Sequence, residues 1–340
     1  MTRFIDIQDM KKLVALSGVA KFISQLVDYI EHDFARWIEF DKTPRVASHS
    51  DIGVIELMPT ADAELYGFKY VNGHPQNALH NQLTVMAFAA LAKTSTGYPL
   101  LLSEFTLATA LRTAATSVLA AKYLMRKNAR SMAVIGNGAQ SEFQIIGFKE
   151  VLGVKDFYLY DVDQTATEKL MGNLHSYPGI KLHFCRSVEE AVAEADIITT
   201  ITADKTNATI ISSSHIRPGI HINAVGGDCP GKTELDANIL LNADVFVEFT
   251  PQSRIEGEIQ QMPDDFGVTE LWEVIDGHRP GRCSDDTVTV FDSVGFAIED
   301  FSALRLIHDI AVQHNIGNDI SLVPSPKNPR DLYSMLVIPE

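Results

Sequence analysis

The chain has 340 residues, long enough for two domains that each bury a core, and its 46% hydrophobic and 21% charged residues are ordinary for a globular protein. A net charge of -16 argues against nucleic acid or an anionic membrane as a partner, since either would want a basic face. Cys185, Cys229 and Cys283 are odd in number and far apart, so neither a disulfide framework nor a metal site is expected, and a reducing cytoplasm fits.

No basic segment followed by an apolar run opens the chain, so no secretory signal is expected. The most apolar long segment, 105–125, is interrupted by Arg112 and rich in Thr and Ala, so no membrane span is expected either. Residues 9–40 place Leu13, Val19, Phe22, Ile23, Leu26, Ile30 and Phe34 at helical spacing and predict two amphipathic helices. Segments 45–49, 54–58, 66–71, 83–91 and 98–103 read as strands bounded by Gly, Pro and Asp turns, which makes the front of the chain β-rich. The first three each carry a charge at an otherwise apolar position: Arg45, Glu56 and Lys69. Singly such a residue usually sits on a solvated face; together they form a candidate cluster. A helix over 106–124 follows, with Arg112 among Ala, Leu and Thr, and a guanidinium there must find an anion. A salt bridge would satisfy it, but a bound carboxylate or phosphate is the preferred reading because a nucleotide-type turn comes next.

That turn is the stretch 131–144, a short apolar strand that stops at Gly136-Asn-Gly138 and passes into a helix. Gly136 can take backbone angles closed to other residues, Gly138 lets a ligand approach the main chain, and the helix N-terminus suits a pyrophosphate. Ser141 stands where the full fingerprint has its third glycine. A second strand ends in Asp161, close to the distance at which such folds place a ribose-binding acid, and a carboxylate there favours NAD over NADP. Strands at 132–135, 157–160, 181–184, 196–201, 220–225 and 244–248 alternate with helical stretches, the pattern of a doubly wound parallel sheet. Ligands bind at the carboxyl ends of such strands, which here carry Gly136, Asp161, Thr202 and the loop 224–228.

The segment 221–235 also matches G-x-x-x-x-G-K-[ST] over 226–233, but a triphosphatase would carry that loop on its first strand, so ATP hydrolysis is disfavoured. Beyond it, 288–297 reads as a strand ending in a small-residue turn, 297–314 as a core-packing helix, and the Pro-rich 324–330 as a surface connection back to the front domain.

Six motifs together resemble the ornithine cyclodeaminase/mu-crystallin family: Arg-Val-Ala-Ser-His49, Gly-Phe-Lys-Tyr-Val-Asn-Gly-His-Pro75, Ala-Leu-Arg-Thr-Ala-Ala-Thr116, Gly-Asn-Gly-Ala-Gln-Ser141, Asn-Ala-Val-Gly-Gly-Asp-Cys-Pro-Gly-Lys-Thr-Glu-Leu235 and Val-Phe-Asp-Ser-Val-Gly-Phe296. The resemblance spans nearly the whole chain. It implies an α/β protein with a Rossmann-type doubly wound sheet (119–317) and a β-rich α+β domain for substrate binding and dimerisation (1–118, with 318–340 returning to it). It implies an NAD-dependent homodimeric enzyme that converts L-ornithine to L-proline and ammonia. Carried over residue by residue, Arg45, Lys69 and Arg112 would hold the substrate carboxylate, Glu56 would lie near the amines, Asp228 would be the acid/base group and Val294 would back the substrate. Thr84, Arg112, Ala139, Gln140, Asp161, Thr202, Ile222, Asn223, Ala224, Val225, Lys232 and Ser293 would contact NAD, with Gly136 and Gly138 in its turn. Lysine cyclodeaminase, alanine dehydrogenase or cyclic-imine reductase activity needs the same clamp and hydride acceptor, and a mu-crystallin-like binding protein would keep the fold without turnover.

Overall fold

In the computed structural model, which describes residues 1–203 and 208–337, the two hydrophobic patterns of the sequence become two sheets. The front layer starts with β1 (Thr2–Ile5), α1 (Ile7–Ser17) and α2 (Val19–Ala35). It continues through β2 (Val46–Ser50), β3 (Gly53–Ala61), β4 (Leu65–Gly73), β5 (Ala87–Lys93) and β6 (Pro99–Glu104) into the long helix α3 (Thr106–Leu124). Strands β2 to β6 form an antiparallel meander, so side chains alternate between two faces. Val54, Glu56 and Met58 of β3 and Lys69 and Val71 of β4 share the buried face. The two charges therefore point inward with apolar neighbours.

The second layer runs β7 (Ser131–Ile135), α4 (Ser141–Leu152), β8 (Asp156–Tyr160), α5 (Gln164–Leu174), β9 (Lys181–Phe184), α6 (Val188–Ala193), β10 (Ile197–Thr200) and β11 (His221–Ala224). It is completed by α7 (Ala237–Leu241), β12 (Asp244–Val247), α8 (Thr250–Glu256), β13 (Thr269–Glu270), α9 (Leu271–Ile275) and β14 (Thr289–Asp292). Neighbouring strands pair in parallel in the order β9-β8-β7-β10-β11-β14-β12-β13. Strand order reverses between β7 and β10, and that topological switch point is where such sheets open a crevice.

The chain then returns to the front layer. Helix α10 (Ala297–His314) lies across β3, β4 and β5 and against α2, with Gly67 of β4 so close to it that a Cβ would come 3.2 Å from the Phe301 ring. Strand β15 (Asn318–Ile320) pairs antiparallel with β1, Thr2 opposite Ile320. The return expected of 324–330 is thus made earlier, and 324–330 itself is mostly solvent-exposed. The strand expected over 83–91 begins only at Ala87, because the segment before it is held by side chains: Met86 N–H donates to Asn72 Oδ1 (2.7 Å) and Asn77 Nδ2 to the Leu83 carbonyl (3.0 Å). Among the described residues no single helix is long and apolar enough to cross a membrane, and the apolar face of α2 (Phe22, Ile23, Leu26, Ile30) is buried between α3 and α10.

Candidate active site at the switch point

The turn after β7 is built as the glycine pattern requires. Gly136 has φ +95°, and a Cβ on it would lie 2.8 Å from the Ile201 carbonyl oxygen at the end of β10, so the two strand ends approach only because nothing intervenes. Gly138 and Ala139 are exposed, with no atom within 4 Å of where a Gly138 Cβ would stand, which leaves the main chain open to a ligand. Ser141, in the third-glycine position, is fully buried and its hydroxyl closes the turn onto the Gly138 carbonyl at 2.8 Å. Asp161 accepts from the backbone N–H groups of Asn137 (2.6 Å) and Asp163 (2.8 Å), which fixes its carboxylate beside the turn. An open turn, a helix N-terminus and an oriented carboxylate at the end of the second strand fit an adenine dinucleotide with a free 2′-hydroxyl.

Around the corner from this turn lies a cavity enclosed by both layers. Arg45, Glu56, Lys69 and Arg112 reach it from the front layer and α3; Gln140, Val225, Asp228, Ser293 and Val294 reach it from the ends of the parallel strands. The sequence cluster is therefore a spatial one. The anion preferred for Arg112 was a ligand, but its Nη1 donates to Glu299 Oε2 (2.7 Å) and its Nε lies 2.9 Å from Asp300 Oδ1. The salt bridge weighed as the alternative partner for Arg112 is thus present in the structure. Lys69 Nζ, 1% exposed, is 2.8 Å from Asp300 Oδ2. Arg45 donates from Nη1 to Glu56 (3.1 Å) and from Nη2 to the carbonyls of Val294 (2.6 Å) and Gly295 (2.8 Å), while its Nε stands 2.9 Å from Glu256 in an ion pair without hydrogen-bond alignment.

These contacts set the protonation states. Burial lowers the Lys69 pKa to about 8, with Arg112 adding repulsion and Asp300 opposing both. Burial raises Glu299 to about 8 and Glu256 to about 7, although Arg112 and Arg45 respectively favour their charged forms. Burial also works against the Arg45 charge, but Glu56 and Glu256 hold that guanidinium above its ordinary value. Asp228 is different: its side chain is 54% exposed at the cavity mouth, 3.8 Å from Lys232 Nζ.

A second set of carboxylates, none singled out by the sequence, braces the loops that carry these groups. Glu248, after β12, accepts from the Ser293 hydroxyl (2.7 Å) and from the N–H of Val294 and Gly295 (both 3.2 Å), which peels the chain away from β14 into the cavity wall. Asp292 accepts from the N–H of Glu258 and Ile259, and Glu258 accepts from those of Glu234 and Leu235. Glu234 then receives both the hydroxyl and the N–H of Thr202. Gly226 and Gly227 lie against the carboxylates of Glu234 and Glu258, and Lys232 donates into the Thr202 carbonyl at 2.7 Å. The first glycine and the lysine of the phosphate-loop-like motif, Gly226 and Lys232, are thus used within this brace, while its second glycine, Gly231, takes a positive φ of 81° with no atom within 4 Å of where a Cβ would stand.

Not every residue carried over from the resemblance reaches the cavity. Ile222, Asn223 and Ala224 are fully buried in β11, Asn223 donating to Thr199 Oγ1, and only Val225 of that run lines the wall. Thr84 sits beside the wall residue Val85, with its carbonyl accepting from His74 N–H. Glu299 and Asp300 were hidden because two acids in the first turn of a helix read as partners of its dipole. A charge balance would have found them, since three cations among apolar residues demand carboxylates.

A parallel sheet whose switch point opens onto a charged, enclosed cavity defines a dinucleotide-binding α/β protein with a small-molecule site. Residues 8–315 match the model of the ornithine cyclodeaminase/mu-crystallin family, and the chain belongs to that family. It is 58% identical over 334 residues to an ornithine cyclodeaminase of Brucella suis, covering 98% of this chain and 93% of that protein. Among solved structures it superposes with a TM-score of 0.92 on a lysine cyclodeaminase described with L-lysine, L-ornithine and L-2,4-diaminobutyric acid (28% identity, 98% of each chain). An archaeal alanine dehydrogenase dimer with bound NAD superposes with a TM-score of 0.87 (30% identity, 95% of this chain and 99% of that one).

Proposed function

We propose that this protein is an ornithine cyclodeaminase, an NAD-dependent lyase that converts L-ornithine to L-proline and ammonia. The observation that carries the reading is that Arg45, Lys69 and Arg112 converge with Asp228 on one cavity beside an NAD-type turn. Three cations hold the α-carboxylate by charge-assisted hydrogen bonds, and the guanidinium forks fix its orientation. NAD, when bound, would supply the acceptor for a hydride from the substrate α-carbon and the donor that returns it. Asp228 takes the α-ammonium proton so that nitrogen can supply its lone pair, and Glu56 attends the distal amine. That amine closes a five-membered ring at the α-carbon and the α-nitrogen leaves as ammonia. Val294 backs the substrate, and substrate and cofactor together would fill the cavity against water.

Charge supports a diamino acid over alanine. Glu56 and Asp228 both line the cavity wall, and the distal ammonium of a diamino acid, which alanine lacks, gives the wall carboxylates a second cationic partner. The cofactor would rest on Gly136, Gly138, Ala139, Gln140 and Asp161, with Thr202, Val225, Lys232, Ser293 and Arg112 on its nicotinamide side and Thr84, Ile222, Asn223 and Ala224 in the surrounding shell.

We read residues 1–118 with 318–340 as the substrate and dimer domain and 119–317 as the NAD domain, α10 bridging back onto the front sheet. A homodimer belongs to the same reading. The face of the front sheet turned away from α10 carries Val46, Ile55, Leu57, Tyr66 and Phe88, all at least 40% exposed, an apolar patch suited to a second copy. A cytoplasmic location, where NAD and free amino acids are held, and a role in proline formation go with it. The deciding experiment supplies L-ornithine labelled with nitrogen-15 at the α position. Labelled ammonia and unlabelled proline are expected; labelled proline would mean oxidation at the δ carbon and overturn the scheme.

A further inference from the structure

Lys69 and Arg112 come from different elements, β4 and α3, yet one carboxylate on a third element touches both. Asp300 of α10 places Oδ1 and Oδ2 at 3.0 and 2.8 Å from Lys69 Nζ, and Oδ1 at 2.9 Å from Arg112 Nε. It is 1% exposed and absent from the cavity wall, so it can act on a substrate only through those two cations. We infer that Asp300 is a positioning residue of the reaction: it sets the spacing of the two carboxylate-binding cations and supplies the charge that keeps Lys69 an ammonium. This rests on the proposed role of Lys69 and Arg112 as a substrate clamp.

The surroundings make Asp300 the decisive neighbour. Lys69 faces Arg112 from α3, Arg45 from the segment before β2, Glu56 from the neighbouring strand β3, and Glu299 and Asp300 from α10. Burial, Arg112 and Arg45 all disfavour its charge, Glu299 is itself pushed toward its neutral form, and Asp300 offsets them through both its charge and its hydrogen bond. An uncharged residue at 300 would let Lys69 release its proton at lower pH, and a neutral amine lacks the charge that makes the hydrogen bond to a carboxylate strong.

The test compares kcat/KM for L-ornithine against pH in the parent and in Asp300→Asn, with L-proline binding followed by calorimetry over the same range. Ionisation of the amino acids is common to both proteins and cancels in the comparison. The loss at high pH, expected near 8 in the parent, should move down by about one pH unit or more in the variant. Replacing Lys69 by Arg in the Asp300→Asn background should remove the shift, because a guanidinium does not titrate there. A folded Asp300→Asn whose profiles superimpose on the parent overturns the inference. If that variant does not fold, Asp300→Glu, which keeps the charge but displaces it, must raise KM more than it lowers kcat; a parental KM overturns the inference equally. Lys69→Ala separates the two levels. A parental KM in Lys69→Ala would sink the clamp itself, whereas an impaired Lys69→Ala beside an unshifted Asp300→Asn would sink only the role of Asp300.

Discussion

Replacing Lys69 by Met removes the ammonium and keeps an unbranched side chain, and the structure sets the sign of its effect on stability. With its pKa lowered from 10.5 to about 8 by burial, Lys69 binds its proton less readily in the folded state than in the unfolded chain. At about 1.4 kcal/mol per pH unit, its charge costs folding about 3 kcal/mol at neutral pH, and Met relieves that cost. That cost is already net of the attraction of Asp300, which keeps Arg112 at 2.9 Å once the ammonium is gone, so the variant should melt no lower than the parent. Catalysis moves the other way: kcat/KM for L-ornithine should fall by about 2–4 kcal/mol equivalent, roughly 30- to 1,000-fold. Thermal melts followed by dichroism, with steady-state ammonia release corrected for folded fraction, measure both. A variant that melts far lower yet turns over ornithine like the parent would refute the clamp and leave Lys69 as a structural counter-ion.

Asp228→Asn preserves shape and removes basicity, so turnover should fall by ~10²-fold or more while NAD titration by fluorescence stays parental; near-normal activity would shift the role to Glu56. NAD should bind far more tightly than NADP because Asp161 stands at the ribose end, and Asp161→Ser with a basic residue beside it should narrow the gap; equal affinities in the parent would remove that role. Burial raises Glu258 to about 8 and Asp292 to about 7, so the folded state holds protons that the unfolded chain has released. The stability they give is complete below the ordinary carboxylate range and is lost as pH rises through about 7 to 8. Melting temperature should therefore fall between about pH 6 and 8, and Asp292→Asn, with no proton to lose, should flatten the slope; a steeper slope in the variant would contradict this.

Hydrophobic periodicity and turn chemistry made most of the parallel sheet legible, since β7, β8, β10, β11 and β12 are short apolar runs bounded by glycine or acid caps. Strands β1 and β15 were not legible, because four and three residues carry no period and their pairing joins opposite ends of the chain. In the site, Arg45, Glu56 and Lys69 stood out as charges inside apolar strands. Glu234, Glu248, Glu258 and Asp292 did not, because each lies in or beside a loop where an acid is unremarkable, and only the tertiary approach of other loops makes it an acceptor for backbone N–H groups. The packing expected of 297–314 was half of the truth: α10 does cover the front sheet, but its first turn also carries the counter-ions of Lys69 and Arg112.

The return of α10 and β15 to the front layer also bears on how the protein is made. Strands β2 to β6 leave the ribosome early, yet the helix that covers their apolar inner face and the edge strand that completes their sheet are among the last segments synthesised. The parallel sheet has all its strands before α10 appears and can close on itself first. The earlier-born layer must wait with its inner face uncovered, so a nascent chain stalled before residue 297 would be the aggregation-prone species and the natural client of a chaperone.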